Sequence, residues 1–155
     1  MRRWLVCGAL LAVAWPMAAA WPDAGGACAI RPVALSLAGG RSSGVSILLS
    51  DGNELAGGAM VWDEPMRLAQ ADGTSCAVDA RVSIITGPMF DAGGRVLYVT
   101  TYSGSRSKVF GVSMGDCRVL WESGWFTRGP VLEGETMRFS DAPAVEIGGD
   151  CLPRA

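Results

Sequence analysis

Histidine is absent from the whole sequence of 155 residues, and this absence excludes the commonest catalytic arrangements. Ser-His-Asp and Cys-His triads and imidazole-bound zinc all need at least one histidine, which is also the most frequent general base. A pair of carboxylates would still support glycoside-type hydrolysis. However, Asp63, Glu64, Glu133 and Glu135 stand in sequence contexts typical of solvated turns. A carboxylate-based hydrolase is therefore the weakest interpretation, and we expect a protein that is not an enzyme and has no catalytic residues or cofactor.

Positive charge is also scarce in this chain. Lys108 is the only lysine, and no run of basic residues occurs. The 13 Lys and Arg residues are outnumbered by 15 Asp and Glu residues, which gives a formal net charge of −2 at pH 7. Nucleic acids and anionic lipid surfaces attract basic proteins. The composition therefore argues against both as partners.

Long apolar runs are missing after the N-terminal segment. Arg2 and Arg3 precede the apolar run Leu5 to Trp15, and Met17 to Ala20 has the small residues that signal peptidase recognises. The apolar run is shorter than the ~20 residues that a transmembrane helix needs. We therefore expect cleavage after Ala20 and a protein of the periplasm or the extracellular space, without stable membrane insertion.

This prediction divides the chain into a signal peptide (1–20), a flexible lead-in (21–27) and a single β domain (28–155). Cleavage after Ala20 would leave 135 residues, a size typical of one domain. Because Arg2 and Arg3 leave with the signal peptide, the formal net charge would shift from −2 to −4.

The cysteines predict two disulfides. Cys7 lies in the predicted signal peptide, and the other four of the five cysteines are Cys28, Cys76, Cys117 and Cys151. An even number of cysteines in an exported chain indicates disulfide pairing, and the lack of a C-x-x-C pair argues against a metal site. Pairing neighbours in chain order, Cys28 with Cys76 and Cys117 with Cys151, is the simplest topology. Two other connectivities are possible.

The secondary structure is predicted to be entirely β, because no segment combines helical periodicity with caps at both ends. The best-defined stretch runs from Asp91 to Trp121, where three β-rich runs alternate with two turn clusters and indicate an antiparallel meander. In its first run, Val96 to Tyr102, both faces carry β-forming side chains. A strand of that kind is usually covered on both faces.

Several other stretches are predicted as strands or turns. Cys76 to Ile85 has the cleanest alternation in the chain, and its even-numbered side chains are expected to face inward. Gly39 to Gly44 is expected to be a turn, and Asp51-Gly52 a hairpin-type turn. Further strands are predicted at Cys28–Leu37, Val45–Leu49, Ala59–Trp62, Thr136–Phe139 and Ala144–Ile147.

The stretch from Asp91 to Trp121 resembles one blade of a β-propeller. The similarity rests on Asp91-Ala-Gly-Gly-Arg-Val-Leu-Tyr-Val, on Val109-Phe-Gly-Val after a Ser/Gly turn, and on Asp116-Cys-Arg-Val-Leu-Trp. It is similar to quinoprotein-type blades, whose outer strand often ends in Val-Leu-Trp, and to TolB-type blades. Blade motifs build a scaffold, so the resemblance implies a fold and no active site.

Weaker copies of this unit extend along the chain. Cys76, Cys117 and Cys151 each follow a glycine-containing turn, at spacings of 41 and 34 residues that suit a meander repeat. The alternative is chance recurrence in a glycine-rich chain. At most three units fit, whereas closed propellers use ~4–8 blades. We therefore expect about three blade-like units in an open meander, a sandwich, or part of a ring completed by a second copy.

Aromatic residues supply the candidate contact site. Trp125 and Phe126 lie between glycines in a predicted loop, next to Arg128. Trp, Tyr and Arg are enriched at binding hot spots, so this loop is expected either to contact a partner or to cap one end of the core. We do not assign a candidate residue to any metal or cofactor.

Two functional classes are consistent with these features. The first is a non-catalytic, exported binding or accessory module that acts through protein–protein contact in the cell envelope or outside the cell. The second is an enzyme inhibitor or immunity-type protein that blocks its partner with a protruding loop. Self-association into a homo-oligomer is compatible with both.

Overall fold

Short runs of alternating side chains, separated by glycine-rich turns, form fifteen strands in a computed structural model that describes residues 27–154. The predicted signal peptide and residues 21–26 of the predicted lead-in lie outside the described residues. The strands are β1 (Ile30–Pro32), β2 (Leu35–Ser36), β3 (Gly39–Ser42), β4 (Val45–Leu48), β5 (Gly52–Glu54), β6 (Met60–Trp62), β7 (Arg67–Ala69), β8 (Ser75–Ala77), β9 (Ile85–Ala92), β10 (Val96–Ser103), β11 (Arg106–Ser113), β12 (Val119–Glu122), β13 (Val131–Glu133), β14 (Thr136–Arg138) and β15 (Val145–Glu146).

These strands form three open antiparallel sheets, which confirms the predicted all-β class. The central sheet has the order β12-β11-β10-β9-β6-β5, with β1 paired to β9 beside β6. The second sheet has the order β2-β3-β4-β7-β8, and the third has the order β13-β14-β15. The predicted meander corresponds to β10, β11 and β12, whereas the propeller resemblance remains a prediction.

The central sheet is covered on both faces. On β10, Leu97 and Val99 point into a first core shared with the second sheet, and Val96 and Tyr98 point into a second core shared with the third sheet. All four side chains are at most 2% exposed. The prediction that this strand is buried on both faces is therefore confirmed.

Side-chain burial holds the outer sheets in place. The strands of the second sheet are only two to four residues long, and short ladders are marginal by themselves. Burying a large apolar side chain stabilises a fold by about 1.5–3 kcal/mol. Fully buried members of the first core include Ile47, Trp62, Met66, Leu68, Val82, Ile85 and Val112.

The two predicted disulfides are present, but the predicted pairing of nearest neighbours is wrong. Cys28 bonds to Cys151, and Cys76 bonds to Cys117. Each bond joins an outer layer to the central sheet, because Cys28 precedes β1 while Cys151 follows β15, and Cys76 lies on β8 while Cys117 precedes β12. Chain order does not reveal how sheets stack. The closed loops span 123 and 41 residues. In the chain-entropy account, these two cross-links stabilise the folded state by about 5 and 4 kcal/mol.

The strand predicted from Cys76 to Ile85 ends much earlier, at Ala77. Asp79 accepts a hydrogen bond from the backbone N–H of Arg81 (2.9 Å), which closes a turn. Val82 and Ile85 are both buried in the first core, although a regular strand would place them on opposite faces. The left-handed backbone of Ile84 (φ 53°) breaks the alternation and lets both point inward.

Two predicted turns differ from the structure. Of the predicted turn from Gly39 to Gly44, Ser43 and Gly44 do form the turn between β3 and β4. Gly39 to Ser42 forms β3 instead, because a glycine at position 39 allows the backbone carbonyl of Ile47 to lie where a Cβ atom would otherwise be. Asp51-Gly52 does not close a hairpin. It connects β4 of the second sheet to β5 of the central sheet.

Strand β9 was not predicted, because Gly87-Pro88 interrupts its pattern. The pairing register with β10 shifts at this point, from Met89 opposite Val99 to Thr86 opposite Thr100. The Thr100 hydroxyl donates a hydrogen bond to the Pro88 carbonyl (2.7 Å). The register shift is a β-bulge, and the Thr100 side chain of the neighbouring strand supplies a hydrogen bond to the backbone at this bulge.

Asp91 links two turns from inside the protein. Its carboxylate is fully buried and accepts hydrogen bonds from the hydroxyls of Ser42 (2.6 Å) and Ser43 and from the backbone N–H of Gly94 (2.7 Å). Burial raises the pKa of Asp91, but these hydrogen bonds and the positive charge of Arg31 outweigh it and lower the pKa below the ordinary value of 3.8. The group is therefore ionised at neutral pH.

We expect Asp91→Asn to destabilise the protein by about 1.5–3 kcal/mol near pH 7, because hydrogen bonds to a charged acceptor are lost. A lowered folded-state pKa stabilises the fold fully above the unfolded value of 3.8. That contribution disappears as the pH falls through the folded pKa. Urea unfolding at about pH 6 and about pH 3 should therefore show the difference from wild type shrinking in acid. The exposed control Asp63→Asn should show no such difference. If the unfolding free energies of wild type and Asp91→Asn differed by the same amount at both pH values, the role of the ionised Asp91 would be contradicted.

Candidate functional site

A groove of about 320 Å³ opens at the end of the central sheet where β10 turns into β11. We call it the aromatic groove. It is lined by Arg81, Ser83, Ile84, Thr101, Tyr102, Ser103, Lys108, Phe110, Glu122 and Trp125.

Strand register explains how the floor of the groove is built. Thr101 lies opposite Lys108, and Phe110 lies opposite Glu122, so these side chains share one face of the sheet. It is the face that carries the first core, continued beyond the part that the second sheet covers. Arg81, Ser83 and Ile84 come from the loop between β8 and β9, and Trp125 from the loop after β12.

The charges within the groove are paired around one carboxylate. Glu122 Oε1 lies 3.3 Å from Lys108 Nζ, and Glu122 Oε2 lies 3.6 Å from Arg81 Nη1. Arg81 Nε is also 3.6 Å from Asp79 Oδ2. Lys108 is the most enclosed of these groups, with a side chain only 17% exposed.

Lys108 also lies against the aromatic rings. Its Nζ is 5.1 Å from the ring centroid of Trp125 and 5.8 Å from that of Phe110, distances typical of cation–π contacts. The ammonium group therefore connects the carboxylate of Glu122 to the aromatic wall. A single lysine holds together residues from β11, β12 and the following loop.

A second cleft, also of about 320 Å³, lies on the other face of the central sheet at the same end. We call it the neutral cleft, because no charged residue lines it. Its lining is Leu55, Val61, Thr86, Gly87, Thr100, Tyr102, Ser107 and Gly129. Tyr102 lines both depressions, so they meet at this residue.

The structure separates the three predicted contact residues. Trp125 is 45% exposed and lines the aromatic groove, whereas Phe126 is fully buried. The Phe126 ring packs 4.6 Å from that of Phe139, and its backbone forms a two-way bridge with Ser107. Arg128 is exposed, one residue before Gly129 of the neutral cleft. Phe126 therefore anchors the loop that presents its two neighbours.

Sequence reasoning did not place Arg81, Ile84 or Glu122 at a site. The alternation after Cys76 indicated a strand, and the turn signal of Asp79 two residues before Arg81 was the clue to the loop. Glu122 lies at the end of β12, and its role depends on Lys108 of the neighbouring strand. Tyr102 ends the predicted strand that begins at Val96, but its position at the junction of the two depressions depends on the fold.

The four carboxylates weighed as catalytic candidates have different surroundings. Asp63 and Glu64 are exposed, and Glu133 pairs with Arg138 (2.5 Å). One oxygen of Glu135 is buried without a hydrogen-bond partner in the described part of the chain. Within residues 27–154, no cluster of three or more acidic or cysteine side chains is arranged to hold a metal ion.

Comparison of the chain with protein-family models, with curated proteins and with solved structures finds no match. Among the described residues, the structure contains no helix that is long and apolar enough to span a membrane.

We expect Phe126→Ala to destabilise the protein much more than Trp125→Ala. Phe126 fills a fully buried position, so its truncation should cost about 3–5 kcal/mol. Trp125 is 45% exposed, so its truncation should cost about 1 kcal/mol or less. Thermal unfolding of the two single variants measures this difference. Similar melting temperatures would contradict the assignment of one residue to the core and the other to the surface.

Proposed function

We propose that this chain is a non-catalytic, exported binding module that recognises an apolar, acidic segment of a partner protein at the aromatic groove. The observation that carries the proposal is the exposure of Trp125 (45%) beside Lys108, with Tyr102 (44% exposed) lining the same groove. Large exposed aromatics next to a cation are typical of protein-binding hot spots.

The distribution of exposed apolar side chains supports this location. Within the described residues, eight large hydrophobic side chains are exposed, and Leu55, Ile84, Tyr102 and Trp125 of these line the two depressions that meet at Tyr102. A contiguous exposed apolar surface is unfavourable in water unless a partner covers it. Half of the exposed apolar residues are therefore explained by one binding surface.

Charge supports an acidic partner. At the aromatic groove, Glu122 and Asp79 pair with Arg81 and Lys108. Two further cations are exposed beside it: Arg106 lies opposite Ser103 at the edge of the groove, and Arg128 lies beside the neutral cleft. Arg106 and Arg128 therefore add positive charge at this end of a chain whose net charge is negative. Complementary charge speeds association and selects partners even where its contribution to affinity is small. A segment with apolar side chains and one or more carboxylates has the matching chemistry.

Arrays of short synthetic peptides test the proposal. We expect wild-type protein to bind peptides that combine apolar residues with Asp or Glu, and to bind matched peptides with Lys in those places at least about tenfold more weakly. Trp125→Ala should remove most of this binding because Trp is a frequent hot-spot residue. Binding to acidic peptides should also weaken as the salt concentration rises.

Leu48→Ala is the matched control, because Leu48 is equally exposed (45%) but lies on β4 of the second sheet. It should bind as wild type does. Equal binding of acidic and basic peptides, or undiminished binding by Trp125→Ala, would overturn the proposal. Sedimentation measurements test a second copy of the chain as the partner. If wild type is a dimer and Trp125→Ala is a monomer, the groove binds another copy of this chain and the proposed partner protein is overturned.

Two disulfides within the described residues support the exported compartment, since such bonds persist where conditions are oxidising. We expect protein recovered from the periplasm or medium of a bacterial host to begin at Trp21 and to have no reactive thiol. Intact mass measurement with and without a thiol-alkylating reagent checks both points. Retention of Met1, or alkylation of any of the four cysteines without reduction, would contradict the proposed route.

A further inference from the structure

Ile84 combines two unfavourable features at the edge of the aromatic groove. Its backbone has φ of 53°, in the left-handed region, and its side chain is 38% exposed. Left-handed backbone is uncommon for residues other than glycine, asparagine and aspartate, and is strained for β-branched residues. Among the described residues, the other non-glycine positions with positive φ are Ser43, Asp51, Cys117 and Cys151. Ile84 is thus the single β-branched residue in this group.

The fold explains the backbone of this residue but not its side chain. Val82 and Ile85 are both fully buried, and a left-handed residue between them is what lets both enter the first core. The Ile84 carbonyl accepts a hydrogen bond from the backbone N–H of Tyr102 (2.9 Å), which a residue of any type would accept. Asparagine or glycine would adopt this backbone with less strain and expose less apolar surface.

Residues with a strained backbone persist where well-packed surroundings hold them in place, and such residues are found preferentially at binding sites. We propose that Ile84 is a specificity-determining residue, whose strained backbone presents an apolar side chain to the partner segment in the aromatic groove. The side chain lines the groove together with Tyr102 and Trp125. It would select a partner segment that carries an apolar side chain beside its carboxylate. This inference rests on the proposed function and assigns to one residue the choice among acidic partners.

Two substitutions separate recognition from structure. Ile84→Asn keeps a residue that tolerates the left-handed backbone but removes the apolar surface. Its melting temperature should equal or exceed that of wild type, while binding to the apolar, acidic peptides weakens about tenfold or more. Ile84→Val keeps both the strain and most of the apolar contact. It should retain binding within about threefold, at an unchanged melting temperature.

The same peptide arrays and thermal unfolding measurements decide between the outcomes. If wild-type protein binds no acidic peptide, the proposed function itself fails. If wild-type protein binds and Ile84→Asn binds equally well, only the role of Ile84 is overturned. A lowered melting temperature for Ile84→Asn would likewise overturn it, because the isoleucine would then serve the fold.

Discussion

The burial of β10 on both faces is the constraint on which the rest of the structure depends. A strand with apolar side chains on both sides cannot border water, so the chain must supply a layer above it and a layer below it. Tyr98 on β10 contacts the layer that covers one of these faces. Its ring meets Trp121 edge to face at 6.1 Å, and its hydroxyl donates a hydrogen bond to the carbonyl of Cys151 (2.7 Å). Burial, together with the charge of Asp150, raises the pKa of Tyr98, so the phenol stays a hydrogen-bond donor.

The two covering layers are too small to be stable alone, and this explains where the disulfides lie. The third sheet has strands of two or three residues, which provide few ladder hydrogen bonds. The Cys28–Cys151 bond connects this layer to the segment before β1, and Cys76–Cys117 connects the second sheet to the loop before β12. Each cross-link therefore reinforces an interface between layers where backbone pairing is absent.

The candidate site follows from the same architecture. Strands β9, β10 and β11 have eight residues each and are longer than the strands that cover them. Where the cover ends, residues that continue the core pattern line the aromatic groove and the neutral cleft. Thr101 and Lys108 occupy the same face as Val99 and Phe110, one step further along the hairpin. The groove is thus the uncovered end of the first core.

Local pattern alone determined several features of this protein. The alternation in Val96 to Tyr102 predicted a doubly buried strand, the four cysteines predicted two disulfides, and the missing histidine excluded the usual catalytic triads. These properties depend on neighbouring residues or on composition, so they can be read without the fold. Tertiary structure decided the rest, because it depends on which sheets stack. Only stacking pairs Cys28 with Cys151, buries Phe126 while exposing Trp125, and brings Arg81 and Ile84 to the groove beside Lys108.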